Sequence, residues 1–121
     1  MKALAAGLIL ASATACGGEN RPTLAERGEE LRASKGCVNC HSTDGSDSTG
    51  PTWKGLYGSR VRLSDETTVV ADDAYMADSM RRPSAQTVRG YREGLMETVI
   101  KPGALSDDEV RALVAYIKTL K

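Results

Sequence analysis

The chain has 121 residues, with 16 basic and 16 acidic side chains and a formal net charge of zero. That length allows one small domain, and no block of like charge supports a nucleic-acid arm or a polybasic membrane patch. Phenylalanine is absent and apolar residues make up 40%, so a core of Leu, Val, Ile, Ala and Tyr is thin for a domain of about 100 residues. Such a composition fits a chain that folds around a large apolar body supplied from outside.

The N-terminus reads as a targeting segment. Lys2 forms a short basic region, and an apolar run containing Leu4, Leu8, Ile9 and Leu10 follows. Small residues Ser12, Ala13, Thr14 and Ala15 then lead to Cys16. The run is too short to span a bilayer and has the anatomy of a signal peptide. Ending in Ala-Thr-Ala-Cys, it resembles a bacterial lipoprotein signal, although Ala13 stands where Leu is usual. Residues 1–15 are therefore expected to be removed and Cys16 to carry lipid. Ordinary secretion would instead leave Cys16 as a free thiol, a liability in an oxidising compartment. Residues 16–22 form a short polar linker and anchor. Six extended residues reach only about 20 Å, so a lipidated Cys16 would hold the domain, residues 23–121, close to the membrane.

A helix is predicted from Thr23, where Thr23-Leu24-Ala25-Glu26 makes a capping box, toward Lys35 or Gly36. Leu24 and Leu31 fall on one side of it. Gly28 lies mid-helix, where glycine costs about 1 kcal/mol against alanine unless its small size is needed. Residues 37–41 then read Cys-Val-Asn-Cys-His. The thiols of Cys37 and Cys40 sit one helical turn apart, a separation that suits the two vinyl groups on one haem edge. Each thiol can add across a vinyl to form a thioether, and His41 follows at once to ligate the iron from beneath. A structural zinc site would want four protein ligands, and the only spare thiol is Cys16, with no second histidine in the sequence. A thioredoxin-like redox pair would want a βαβ setting, which the pattern lacks.

Residues 42–49 are a Ser/Asp/Thr/Gly loop closed by Gly50-Pro51, and Trp53, Leu56 and Tyr57 follow as a short apolar cluster. Loose alternation through Val61, Leu63, Thr67, Thr68, Val69 and Val70 predicts a small β-hairpin over 61–70. Asp72 is positioned to cap a helix over 73–81, ended by Pro83. Residues 89–103 read as a glycine-punctuated loop carrying Tyr91, Leu95, Met96, Val99 and Ile100. Ser106-Asp107-Asp108-Glu109 is a second capping box. It opens the clearest helix, with Val110, Leu113, Val114 and Ile117 as an apolar stripe and Tyr116 and Leu120 beside it. Lys118 and Lys121 sit where the C-terminal helix dipole favours cations.

In this order the stretches resemble a class I c-type cytochrome. They are similar to the cytochrome c domain of haem–copper oxidase subunit II and to small bacterial lipoprotein cytochromes c. The carrying segments are Cys-Val-Asn-Cys-His, Gly-Pro-Thr-Trp-Lys-Gly-Leu-Tyr-Gly-Ser at 50–59, Asp-Asp-Ala-Tyr-Met at 72–76, Arg-Gly-Tyr at 89–91, and Leu-Ser-Asp-Asp-Glu-Val with Ala-Tyr-Ile-Lys. The resemblance implies an all-α cytochrome c fold, with roughly three to five helices around one covalently bound haem c. It implies that Gly28 meets Tyr116 where the first and last helices cross. It implies that the Pro51 carbonyl orients His41, with Trp53 and Tyr57 packing at or near the haem. For the sixth iron ligand it implies Met96, with Met76 and Met80 as alternatives on the preceding helix. Glu97 stands where the family usually has proline. With His41 the only histidine, bis-histidine ligation within one chain is excluded.

The function implied is electron transfer in a bacterial respiratory chain, between a membrane oxidoreductase and a terminal oxidase or reductase. The expected location is the periplasm or the outer face of the cytoplasmic membrane, with no nucleic-acid partner. No catalytic residue is expected, because two protein ligands on the iron leave no place for substrate. The alternative from another class is a haem enzyme, or a sensor of peroxide or a diatomic gas, whose sixth ligand is labile. A haem-free structural lipoprotein is a third reading, and the Cys-Val-Asn-Cys-His motif argues against it.

Overall fold

A computed structural model describes residues 20–121. The expected signal segment and the proposed lipid site at Cys16 lie outside the described residues. Among the described residues there are four α-helices: α1 (Leu24–Ser34), α2 (Asp73–Arg81), α3 (Leu95–Val99) and α4 (Asp107–Ile117). A single 3-10 turn covers Cys37–Asn39, and two short strands, β1 (Arg60–Arg62) and β2 (Thr68–Val70), form an antiparallel hairpin.

The capping signals act where the sequence puts them. Thr23 accepts from the Glu26 backbone N–H at 3.2 Å while Glu26 accepts from the Thr23 N–H at 2.7 Å. Ser106 and Glu109 repeat the exchange at the start of α4, at 3.3 and 2.8 Å. The Asp72 carboxylate accepts from the Tyr75 N–H at 2.9 Å and starts α2. These contacts satisfy amide donors that a helix leaves open at its first turn.

The core is built on the crossing of α1 and α4. Val110, Leu113, Val114 and Ile117 are all buried, as their spacing predicts, together with Ala112 and Tyr116. Gly28 is the one buried residue of α1, and it lies at the crossing itself. The hairpin adds Val61 and Leu63 to the same core. Its register is Arg60↔Val70, Val61↔Val69 and Arg62↔Thr68, so Val61 points inward between two outward arginines. The Asp65 carboxylate accepts from the Thr67 N–H at 3.0 Å in the turn.

One element differs from the sequence reading. The loop expected over 89–103 contains α3, which has no side-chain cap and starts from Gly94 in the left-handed region at φ 71°. Such a helix leaves no capping signature in the sequence. α4 ends at Ile117, and Lys118 at its C-cap binds the Asp73 carboxylate at 2.6 Å, tying α4 to the first turn of α2.

Candidate cofactor site

The short turn after α1 places Cys37, Cys40 and His41 on the wall of a cavity of about 520 Å³. The turn is held by its own backbone: the His41 N–H donates to the Cys37 carbonyl at 2.9 Å, and the Gly50 N–H to the Cys40 carbonyl at 2.8 Å. The second bond brings Gly50-Pro51 alongside the imidazole. Nδ1 of His41 donates to the Pro51 carbonyl at 2.7 Å. Because Nδ1 carries the proton, Nε2 keeps its lone pair free for a metal, and the hydrogen bond makes that nitrogen a better donor. Burial holds the His41 pKa below its ordinary value, partly opposed by the Pro51 hydrogen bond, so the ring is neutral and ready to ligate. Trp53, only 5% exposed, stacks on the imidazole with centroids 5.2 Å apart and planes 25° apart. A β-carbon at Gly50 would stand 2.8 Å from Cε1 of His41, so only glycine leaves the ring in this position.

The two thiols are free cysteines, and burial pushes the Cys37 thiol up from its usual value. A thiol kept protonated by an apolar wall is a poor ligand for zinc and a poor redox nucleophile. Among the described residues no cluster of three or more His, Cys, Asp or Glu side chains converges to hold a metal ion.

The cavity lining also contains all three candidate methionines. Met76 and Met80 on α2 are 3% and 6% exposed and belong to the core cluster. Met96 on α3 is half-buried and outside that cluster. Tyr57 does not line the cavity. It is 40% exposed, and the Lys118 ammonium lies 4.7 Å from its ring centroid on the outer surface.

The rim carries residues that the sequence reading did not single out. Apart from His41, the charged side chains lining the cavity are Arg60, Arg62, Arg89 and Arg92, with no acid among them. Glu66, in a left-handed turn position at φ 71°, binds both Arg62 and Arg89, the latter at 3.0 Å. Arg60 and Arg92 have no ion-pair partner among the described residues. The arginines come from the hairpin and from residues 89–92, so only the fold assembles them. Arg60 and Arg62, two apart on one strand edge, were the visible signal.

These residues fit a haem. The cavity lining brings together two thiols, a pre-oriented imidazole and methionines, with two arginines that have no ion-pair partner among the described residues. An apolar macrocycle bearing two carboxylates matches that donor set. When bound, haem supplies a one-electron iron couple whose level is set by axial ligands and burial.

A helical domain whose first and last helices cross, and whose cavity has covalent and axial attachment points for haem, defines the c-type cytochromes. The family described as Cytochrome c matches residues 25–121. The chain belongs to that family, as a class I c-type cytochrome. It is 27% identical to cytochrome c2 iso-1 of Magnetospirillum fulvum over 95 residues, covering 70% of this chain and 91% of the relative. It is 28% identical to cytochrome c2 of Rhodospirillum rubrum, covering 98% of this chain and 96% of the relative. Among solved structures it is similar to cytochrome cH from Methylobacterium extorquens. That match has a TM-score of 0.54 and 26% identity, and covers 78% of this chain and 97% of that one. The chain is thus a monohaem electron-transfer protein with one covalently bound haem c, a carrier and not an enzyme.

Proposed function

We propose that this cytochrome passes single electrons from a membrane-bound quinol-oxidising complex to a terminal oxidase or other reductase, working in the bacterial periplasm or on the outer face of the cytoplasmic membrane. Cys37 and Cys40 hold the haem by thioethers, His41 is the proximal iron ligand and Met96 the distal one. Trp53 packs against the proximal imidazole, and Pro51 fixes its tautomer. Arg60 and Arg92 receive the propionates. The observation that carries the reading is the 2.7 Å bond from His41 Nδ1 to the Pro51 carbonyl. It aims a neutral imidazole into a cavity that Cys37, Cys40 and Met96 also line.

The division of labour follows from these placements. The bonds that hold the turn over 37–41 and its imidazole fix that part of the cavity lining, which limits its rearrangement between redox states. Burial of Trp53, Met76 and Met80 keeps water from the lining they form. A site that reorganises little and stays dry suits electron transfer.

Among the described residues no helix is long and apolar enough to cross a membrane. Attachment to the bilayer is proposed through lipid on Cys16, after removal of residues 1–15. The reading is tested by maturing the protein in a periplasm with haem-attachment machinery. The oxidised protein should show the far-red absorption band of methionine-bound ferric haem, and Met96→Ala should abolish it. Intact mass should report one haem, and lipid that is lost in Cys16→Ser. Ready binding of carbon monoxide by the reduced protein, with no far-red band when oxidised, would overturn the carrier assignment at its distal side.

A further inference from the structure

The helix that bears Met96 is held to the rest of the fold by few contacts. α3 has five residues, none of them buried, and no side-chain cap. Its nearest deep anchor is Ile100, 7% exposed, whose N–H donates to the Met96 carbonyl at 2.9 Å. The Thr98 hydroxyl reaches only the Leu95 carbonyl within the same turn, at 2.6 Å. One side-chain bond leaves the element: the Ser84 hydroxyl donates to the carboxylate of Glu97, the residue after Met96. Ser84 follows Pro83, a buried residue that lines the cavity beyond the end of α2. The bond therefore ties the segment just after α2 to α3, from partners 13 residues apart in the chain.

We propose that Ser84 and Glu97 are positioning residues that clasp α3 to the segment after α2 and keep the Met96 thioether on the iron. The proposal rests on Met96 being the distal ligand. A hydroxyl bound to a carboxylate is among the stronger hydrogen bonds, and here it restrains the one described α-helix that has no buried residue of its own. Without it, the state with methionine displaced is more populated. A competing ligand then binds more tightly in proportion to that population.

The test uses the mature holoprotein and its Ser84→Ala, Glu97→Ala and double variants, with the far-red band and imidazole affinity as readouts. Each single change should weaken the band and tighten imidazole binding roughly three- to tenfold, the range expected for one net hydrogen bond. The double variant should match the singles, because both remove the same contact. Ser84 is exposed and Glu97 half-buried, so helical circular dichroism should stay that of the parent. A parent that shows the band, with singles that keep both band and imidazole affinity, overturns the clasp alone. Effects that simply add in the double variant also overturn it. A parent without the band, unchanged by Met96→Ala, overturns the ligand assignment and the clasp with it.

Discussion

A β-carbon on Gly28 would stand 2.0 Å from the carbonyl oxygen of Ala112 and 2.7 Å from the β-carbon of Tyr116. The α1–α4 crossing thus brings backbone against backbone. Helix propensity alone predicts that Gly28→Ala stabilises α1 by about 1 kcal/mol. The crossing predicts the reverse sign, a loss of about 3 kcal/mol or more, because a backbone carbonyl cannot swing aside as a flexible side chain does. Urea unfolding of the holoprotein decides between them, and an unchanged or higher midpoint would show that the helices part easily.

Gly50 is constrained by the space beside it. Its β-carbon would meet Cε1 of His41 at 2.8 Å, Nδ1 at 3.0 Å and the Cys40 carbonyl at 3.2 Å. Gly50→Ala is expected to tilt the imidazole and lengthen its bond to Pro51, costing roughly 1–3 kcal/mol. Hydrogen exchange at the His41 Nδ1 proton, followed by nuclear magnetic resonance, should quicken. Unaltered exchange would mean that the ring has room to spare.

The Lys35 ammonium lies 2.8 Å from the Glu109 carboxylate, linking the end of α1 to the start of α4. That hydrogen bond, followed by the Ser106 N–H, holds the Glu109 pKa below its ordinary value. A carboxyl that ionises more readily when folded stabilises the fold fully above the unfolded pKa. The contribution fades as pH falls through the lowered, folded value. Glu109→Gln keeps the cap acceptor and removes the charge. The gap in thermal midpoint between parent and variant should be greatest at neutral pH and close on acidification below the usual carboxylate range. A gap independent of pH would assign the effect to packing.

Among the described residues Arg60 and Arg92 have no carboxylate partner, whereas Arg62 and Arg89 share Glu66. Removing a cation that faces a propionate leaves that negative charge uncompensated near the iron and favours the oxidised state, which carries one more positive charge. Arg60→Gln and Arg92→Gln should each lower the midpoint potential by some tens of millivolts, on the order of a screened unit charge nearby. Arg62→Gln should move it less, and Arg60→Lys hardly at all. Potentiometric titration that ranks Arg62 above the other two would contradict this.

Much of the scaffold was readable from local chemistry. The capping boxes at Thr23 and Ser106, the Asp72 cap and the stripe from Val110 to Ile117 are each contained in a few residues, and each lies where expected. The hairpin was also legible, because Asp65 and Thr67 close its turn between apolar residues. α3 was missed because Gly94 caps it through backbone conformation alone. The arginine rim was missed because its sequence trace is only the Arg60 and Arg62 alternation, and the fold alone brings Arg89 and Arg92 to the same cavity. Tyr57 read as a candidate for haem packing from its neighbours Trp53 and Leu56. The Lys118 ammonium, from the far end of the chain, lies over its ring on the outside instead. Gly28 was read against Tyr116, and the tightest approach is to the Ala112 carbonyl beside it.

The two helices that seal the domain come from its opposite ends. Closing so long a loop costs entropy that is recovered only once both partners are present. During synthesis or export, the cysteines just after α1 therefore emerge well before α4 can shield them. Prosthetic-group attachment has an interval in which the thiols are open to a maturation enzyme. Folding afterwards closes over the product, so the topology itself sets the order of biogenesis.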